Sequence, residues 1–138
     1  MGCVRRKAMK DLIFDDFQNS AQKSLLRNKS ILDIITKLQE SEGKINRAVI
    51  KSVTNCGCIQ IDAKKQKYDD PDMEEIRKAL NTHLKGKLCD NCRDVIEQEI
   101  GKNLFYLASL CNVLGINMFD VLLKEYNKID TLGKYNLR

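Results

Sequence analysis

Tryptophan is absent from these 138 residues, and proline and histidine occur once each. Aromatic residues make up only 6%, which leaves no row of rings on which bases could stack. With one proline and seven glycines, helix breakers are scarce. Lys, Glu, Leu and Ile are plentiful, and that balance favours helices over strands. No apolar run comes near the roughly 20 residues that cross a bilayer as a helix. The basic start, MGCVRRKAMKDLIFDDF, lacks the apolar stretch of a signal peptide. Arg6 stands where a myristoylation signal wants Ser or Thr. The chain is expected in the cytoplasm, with no membrane partner.

The net charge is +5, from 24 basic and 19 acidic residues. Such a balance permits weak attraction to nucleotides or nucleic acid. The signs are interleaved, however, and basic residues gather only at Arg5-Arg6-Lys7 and Lys64-Lys65-Gln66-Lys67. A mixed, solvated surface is the simpler reading, and nucleic acid is not expected as a partner. The length suits one domain with a single core.

Residues 1–20 read as an N-terminal arm, with a short helix around DLIFDDF. From Leu25 apolar residues recur at helical spacing through Ile31, Ile34, Ile35 and Leu38. Ile45, Ala48, Val49 and Val53 extend that face to about Thr54, whether the chain bends or continues at Gly43. The least regular part follows, up to Pro71. PDMEEIRKAL then predicts a short helix, with Asp72 as cap and Glu74 and Glu75 at the positive end of its dipole. A long helix is expected from about Cys89–Asp94 to Gly115, where a left-handed residue ends it. NMFDVLLKEYNK predicts a closing helix. The expected whole is an all-α bundle of four or five helices. It comprises an arm (1–20), a helical domain (21–130) with a cysteine-containing insertion over about 55–92, and a tail (131–138) that could reach a partner subunit.

Six cysteines are present, four of them in tight pairs: Cys56-Gly57-Cys58 and Cys89-Asp90-Asn91-Cys92. Two close thiolate pairs are what a tetrahedral Zn²⁺ requires, because each pair supplies two ligands from one local turn. In a reducing cytoplasm metal is favoured over a disulfide. Structural zinc on Cys56, Cys58, Cys89 and Cys92 is the first reading. A disulfide or redox pair, an iron–sulfur cluster and the absence of any joint role are the alternatives. Cys111 lies on an apolar helical face and is expected in the core, and Cys3 on the exposed arm. His83 lies near the second pair and could replace a ligand, although a lone His on a polar connector is usually just solvated.

Glu40 with Lys44, and Glu99 with Lys102, share a helix face at spacings of four and three. Alone, these are two intrahelical ion pairs worth a few tenths of a kcal/mol, on the order of 0.3 each. Their surroundings add a resemblance. EIGKNLFYLASLCNVLGINMFDVLLKEYNK resembles the closing half of the MazG-like, all-α NTP pyrophosphohydrolase family, and LQESEGKINRA resembles that family's other helix. The resemblance covers roughly residues 25–130 and leaves out the insertion around the cysteines.

The resemblance implies a helical bundle in which two helices face each other and four carboxylates hold Mg²⁺ for attack of water on a nucleotide. Carboxylates suit that hard cation. Here Glu40 matches the first glutamate, while Ser41 stands at the second and Lys44 at the third. Glu99 matches the glutamate of the other helix, and Lys102 stands where the aspartate belongs. Glu40, Lys44, Glu99 and Lys102 sum to zero charge, so a divalent cation gains little there. The lysines are expected to fill the former metal space and pair across the bundle with Glu99 and Glu40. Asn103, four residues after Glu99, could orient a water or a ligand. The expected protein is a non-catalytic MazG-like module, a homodimer or homotetramer binding a nucleotide or a protein partner. The competing reading is a pyrophosphohydrolase using Mg²⁺ through an altered ligand set.

Overall fold

The computed structural model describes residues 2–24 and 29–132, with side chains from Leu12 onward. Within these bounds the fold is all-α. Five helices are described, α1 (Gly2–Ser24), α2 (Ile31–Lys51), α3 (Met73–Ala79), α4 (Asp90–Leu114) and α5 (Met118–Leu132). One two-stranded antiparallel sheet joins β1 (Ile59–Ile61) to β2 (Leu84–Gly86). No single described helix is long and apolar enough to cross a membrane.

The chain divides into two compact units, Met1–Glu42 with Gly101–Arg138, and Gly43–Ile100. Both boundaries fall inside helices, and each coincides with a mid-helix glycine. This partition differs from the expected arm, domain and tail. The supposed arm is helical well beyond residues 11–17, and its second half is tied into the first unit. Cys3, the side chains of Arg5-Arg6-Lys7, Leu25 and the tail beyond residue 132 lie outside what is described.

In the first unit Gln18 holds α1 against the corner between α4 and α5. Its Nε2 donates to Ile116 O (2.7 Å), and its Oε1 accepts from Met118 N (2.9 Å). Its own carbonyl accepts from Asn112 Nδ2 at 2.8 Å. The first two bonds occupy backbone groups around the end of α4 and the start of α5. Gly115 ends α4 with φ +67°, and Ile116 N donates back to Cys111 O at 2.8 Å, the six-to-one bond of a Schellman stop. Asn117 then caps α5 by accepting from Asp120 N (3.0 Å). Phe14 and Phe119 meet at 5.9 Å between ring centroids. Among the described residues, the buried apolar ones of this unit are Ala21, Ile34 and Ala108.

In the second unit, α2 ends in a wide π-type turn over Ser52–Cys56, closed by Gly57 N donating to Ser52 O (2.9 Å). The hairpin pairs Ile59 with Gly86, Gln60 with Lys85 and Ile61 with Leu84. Ile59 is buried, and Ile96 of α4 is close to it in degree of burial. The segment between the strands, read from sequence as irregular, is organised by side chains. Gln66 and Asn81 exchange two hydrogen bonds of 2.9 Å, and Asn81 Oδ1 accepts from His83 N at 2.7 Å. Asp72 caps α3 through Glu74 N, as its position predicts.

Candidate metal centre

Four sulfurs converge in the second unit. Cys56 closes the π-type turn, Cys58 follows Gly57, Cys89 immediately precedes α4 and Cys92 lies in its first turn. Their Sγ atoms all lie within 4.8 Å of one another, and the cluster can hold a metal ion. The Cys56 and Cys89 sulfurs are 3.7 Å apart. Zn–S bonds of about 2.3 Å set the edge of a regular ZnS₄ tetrahedron at about 3.8 Å. A disulfide needs about 2.05 Å, and all four thiols are free.

Two left-handed glycines build the cluster. Gly57 takes φ +75°, a conformation that glycine adopts without strain, and the chain reverses there between Cys56 and Cys58. Gly86, with φ +86°, lies so close to Cys58 that a Cβ there would sit 2.5 Å from the Cys58 carbonyl oxygen. Ser52 lies beneath, 1% exposed, with its carbonyl accepting from Gly57 N (2.9 Å) and from Cys58 Sγ (3.8 Å). Its hydroxyl donates to Ala48 O at 3.0 Å. Nothing in the sequence marks Ser52 for this part, because a serine near a helix end has many uses.

The thiols do not titrate alike. The Cys92 backbone N–H donates to Cys89 Sγ (3.4 Å) and, with the Cys92 thiol, draws Cys89 down to about 7. The positive end of α4 acts in the same direction. For Cys92, Ser52 acts to lower the value, but Cys89 foremost, with burial and the other two thiols, pushes it up to about 12. Cys56 is lowered by the Cys58 backbone and the Cys92 thiol and raised by the Cys89 and Cys58 thiols and by burial, with a net rise. Four sulfurs this close resist sharing more than one negative charge unless a cation lies among them.

His83 is not the alternative ligand its position suggested. It takes φ +61°, and its Nδ1 accepts from Lys64 N at 3.1 Å, which fastens the loop and leaves it outside the sulfur cluster. Cys111 is half-buried, and burial raises its thiol.

The Glu and Lys residues are distributed over both units. Glu40 and Lys102 belong to the first and Lys44 and Glu99 to the second. Glu40 accepts from Lys37 one turn earlier (3.3 Å), and each of the four engages a neighbouring group. Lys44 and Lys102 are exposed and Glu99 is half-buried. Ser41, 3% exposed, has a buried hydroxyl without a hydrogen-bond partner, and so does the buried Asn103 Nδ2. Both residues lie in the first unit. That unit also has a cleft of about 220 Å³ lined by Gln22, Lys29, Ile34, Ser109, Asn112 and Val113. It contains none of the candidate site residues read from the sequence.

Set against family descriptions, curated proteins and solved structures, the chain matches none of them.

Proposed function

We propose that this chain is a helical binding module of MazG-like type whose insertion is fastened by structural zinc, and that it does not hydrolyse nucleotides. The convergence of Cys56, Cys58, Cys89 and Cys92 carries the reading. All-sulfur tetrahedral sites select zinc or iron among the common metals. Spacing that suits one ion favours zinc over a multi-iron cluster, whose four sulfurs lie farther apart. The ion would pin the end of α2 to the start of α4 across an insertion with little apolar core of its own. The chemistry it supplies is structural, because four protein ligands leave no open position.

The absence of catalysis follows from Lys44 and Lys102, where the resemblance expects acids. The binding role is supported by Ser41 and Asn103, whose buried polar atoms are the kind a ligand satisfies. A nucleotide or a segment of a protein partner could supply the missing bonds. We also propose a homodimer or homotetramer, for the reason argued below for α5.

Elemental analysis of the purified full chain tests the zinc, with one zinc per chain expected. Pyrophosphate release from a panel of nucleoside triphosphates, with Mg²⁺ and with Mn²⁺, tests the rest. No turnover above background is expected, and no micromolar Mn²⁺ binding in equilibrium dialysis. Turnover that disappears in Glu40→Gln would establish the pyrophosphohydrolase instead.

A further inference from the structure

We propose that Cys56 is an oxidation site. Its thiolate attacks an oxygen of hydrogen peroxide, Cys89 resolves the product as a disulfide, and the metal leaves. This rests on the tetrathiolate zinc reading above. In the metal-bound centre every sulfur is a thiolate, so access decides which one reacts. Cys56 is exposed, whereas Cys58, Cys89 and Cys92 are half-buried. The next residue, Gly57, has nothing within 4 Å of the place a Cβ would occupy, so the approach is open on that side as well.

The first step breaks the peroxide O–O bond and forms an S–O bond on Cys56, giving a sulfenic acid and releasing hydroxide. Cys89 stands 3.7 Å away, sulfur to sulfur. Its thiolate attacks the Cys56 sulfur, an S–S bond forms, the S–O bond breaks and a second hydroxide departs. Two electrons pass from the two sulfurs to the peroxide, and solvent protonates both hydroxides. The sulfurs must close to about 2.05 Å, a movement that side-chain rotation can supply. Cys58 and Cys92 alone then offer two ligands, too few for zinc. The disulfide would join the same two segments the metal joined, 33 residues apart in sequence. The chain would stay tethered while the hairpin loses its anchors at Cys58 and Cys92.

The test uses the zinc-loaded, full-length wild-type chain titrated with hydrogen peroxide. Zinc release is followed with a chromogenic chelator, and disulfides are mapped by mass spectrometry of unreduced peptides. One zinc released per disulfide formed is expected, with Cys56 linked to Cys89 and reversal by a thiol reductant plus zinc. Cys56→His keeps a ligand and removes the reactive sulfur, and should slow release at least tenfold. The proposal is overturned if zinc stays bound, or if the main disulfide joins Cys89 to Cys92 or Cys56 to Cys58. A preparation that holds no zinc and takes none up fails the parent reading before any peroxide is added, so the two failures are separable.

Discussion

Cys89 and Cys92 are three residues apart, yet their acidities are driven in opposite directions, to about 7 and about 12. In the metal-free chain the folded value of Cys89 lies below its ordinary 9.0. Its ionisation therefore contributes stability that is complete above pH 9 and is lost as pH falls through 7. The same shift makes Cys89 the nucleophile of the metal-free cluster at neutral pH. Iodoacetamide at pH 7 should label Cys89 well before Cys92 and Cys56, read by peptide mass spectrometry. Equal labelling rates would refute the ordering. With metal bound the order changes, because all four are thiolates and exposure takes over. The spacing of these cysteines was legible in the sequence, since two tight pairs leave few other structural uses. Ser52 and Gly86 were not, because their parts depend on which strand the chain later lays beside Cys58.

The helices with strong local signals stand where the sequence placed them. Asp72 caps α3, and Gly115 stops α4 in the left-handed region. The hairpin was not legible: Ile59–Ile61 and Leu84–Gly86 are three residues each, too short for periodicity to register. Their ladder is continued at the far end by Asp62 N donating to His83 O (2.8 Å). The first helix was also underestimated, because its anchor is the polar Gln18 and no apolar stripe marks it.

The glycines separate these two kinds of element. Gly43 and Gly101 lie inside helices with nothing near a Cβ. Gly43→Ala and Gly101→Ala should each stabilise by about 0.5–1 kcal/mol in urea melts. Gly86→Ala should instead cost at least about 1–3 kcal/mol in the same assay, since it adds left-handed strain to the clash with the Cys58 carbonyl. Equal effects at the three sites would contradict the distinction. The hairpin should also depend on metal. Thiolate ligands must lose their protons, so acid and chelators would both eject the proposed zinc. Amide exchange at Gln60 and Lys85 should quicken after chelation at pH 7.5, and at pH 5 without a chelator. Unchanged exchange would mean that the hairpin stands without the ion.

On the scale of the whole molecule, the described residues of the first unit show little core for the helices it carries. Among them the buried apolar residues are one isoleucine and two alanines, and burying an isoleucine contributes only about 1.5–3 kcal/mol. No residue of α5 is buried. Leu122, Tyr126 and Ile129 repeat along one stripe of that helix, 47%, 65% and 59% exposed, with Val121 and Leu132 beside them. A 15-residue helix with so little buried is marginal in water by itself. We propose that a second copy covers this stripe, because it is a partner present whenever the chain is. Its charged positions, Asp120, Lys124, Glu125, Lys128 and Asp130, mix both signs and so allow self-pairing. Sedimentation equilibrium of the full chain should therefore give a dimer or tetramer at micromolar concentration. Leu122→Glu combined with Ile129→Glu should shift it to monomer and lower the melting temperature, while the proposed zinc stoichiometry of one per chain is unchanged. A wild-type chain that sediments as a stable monomer would show that α5 is covered by something else or tolerates its exposure.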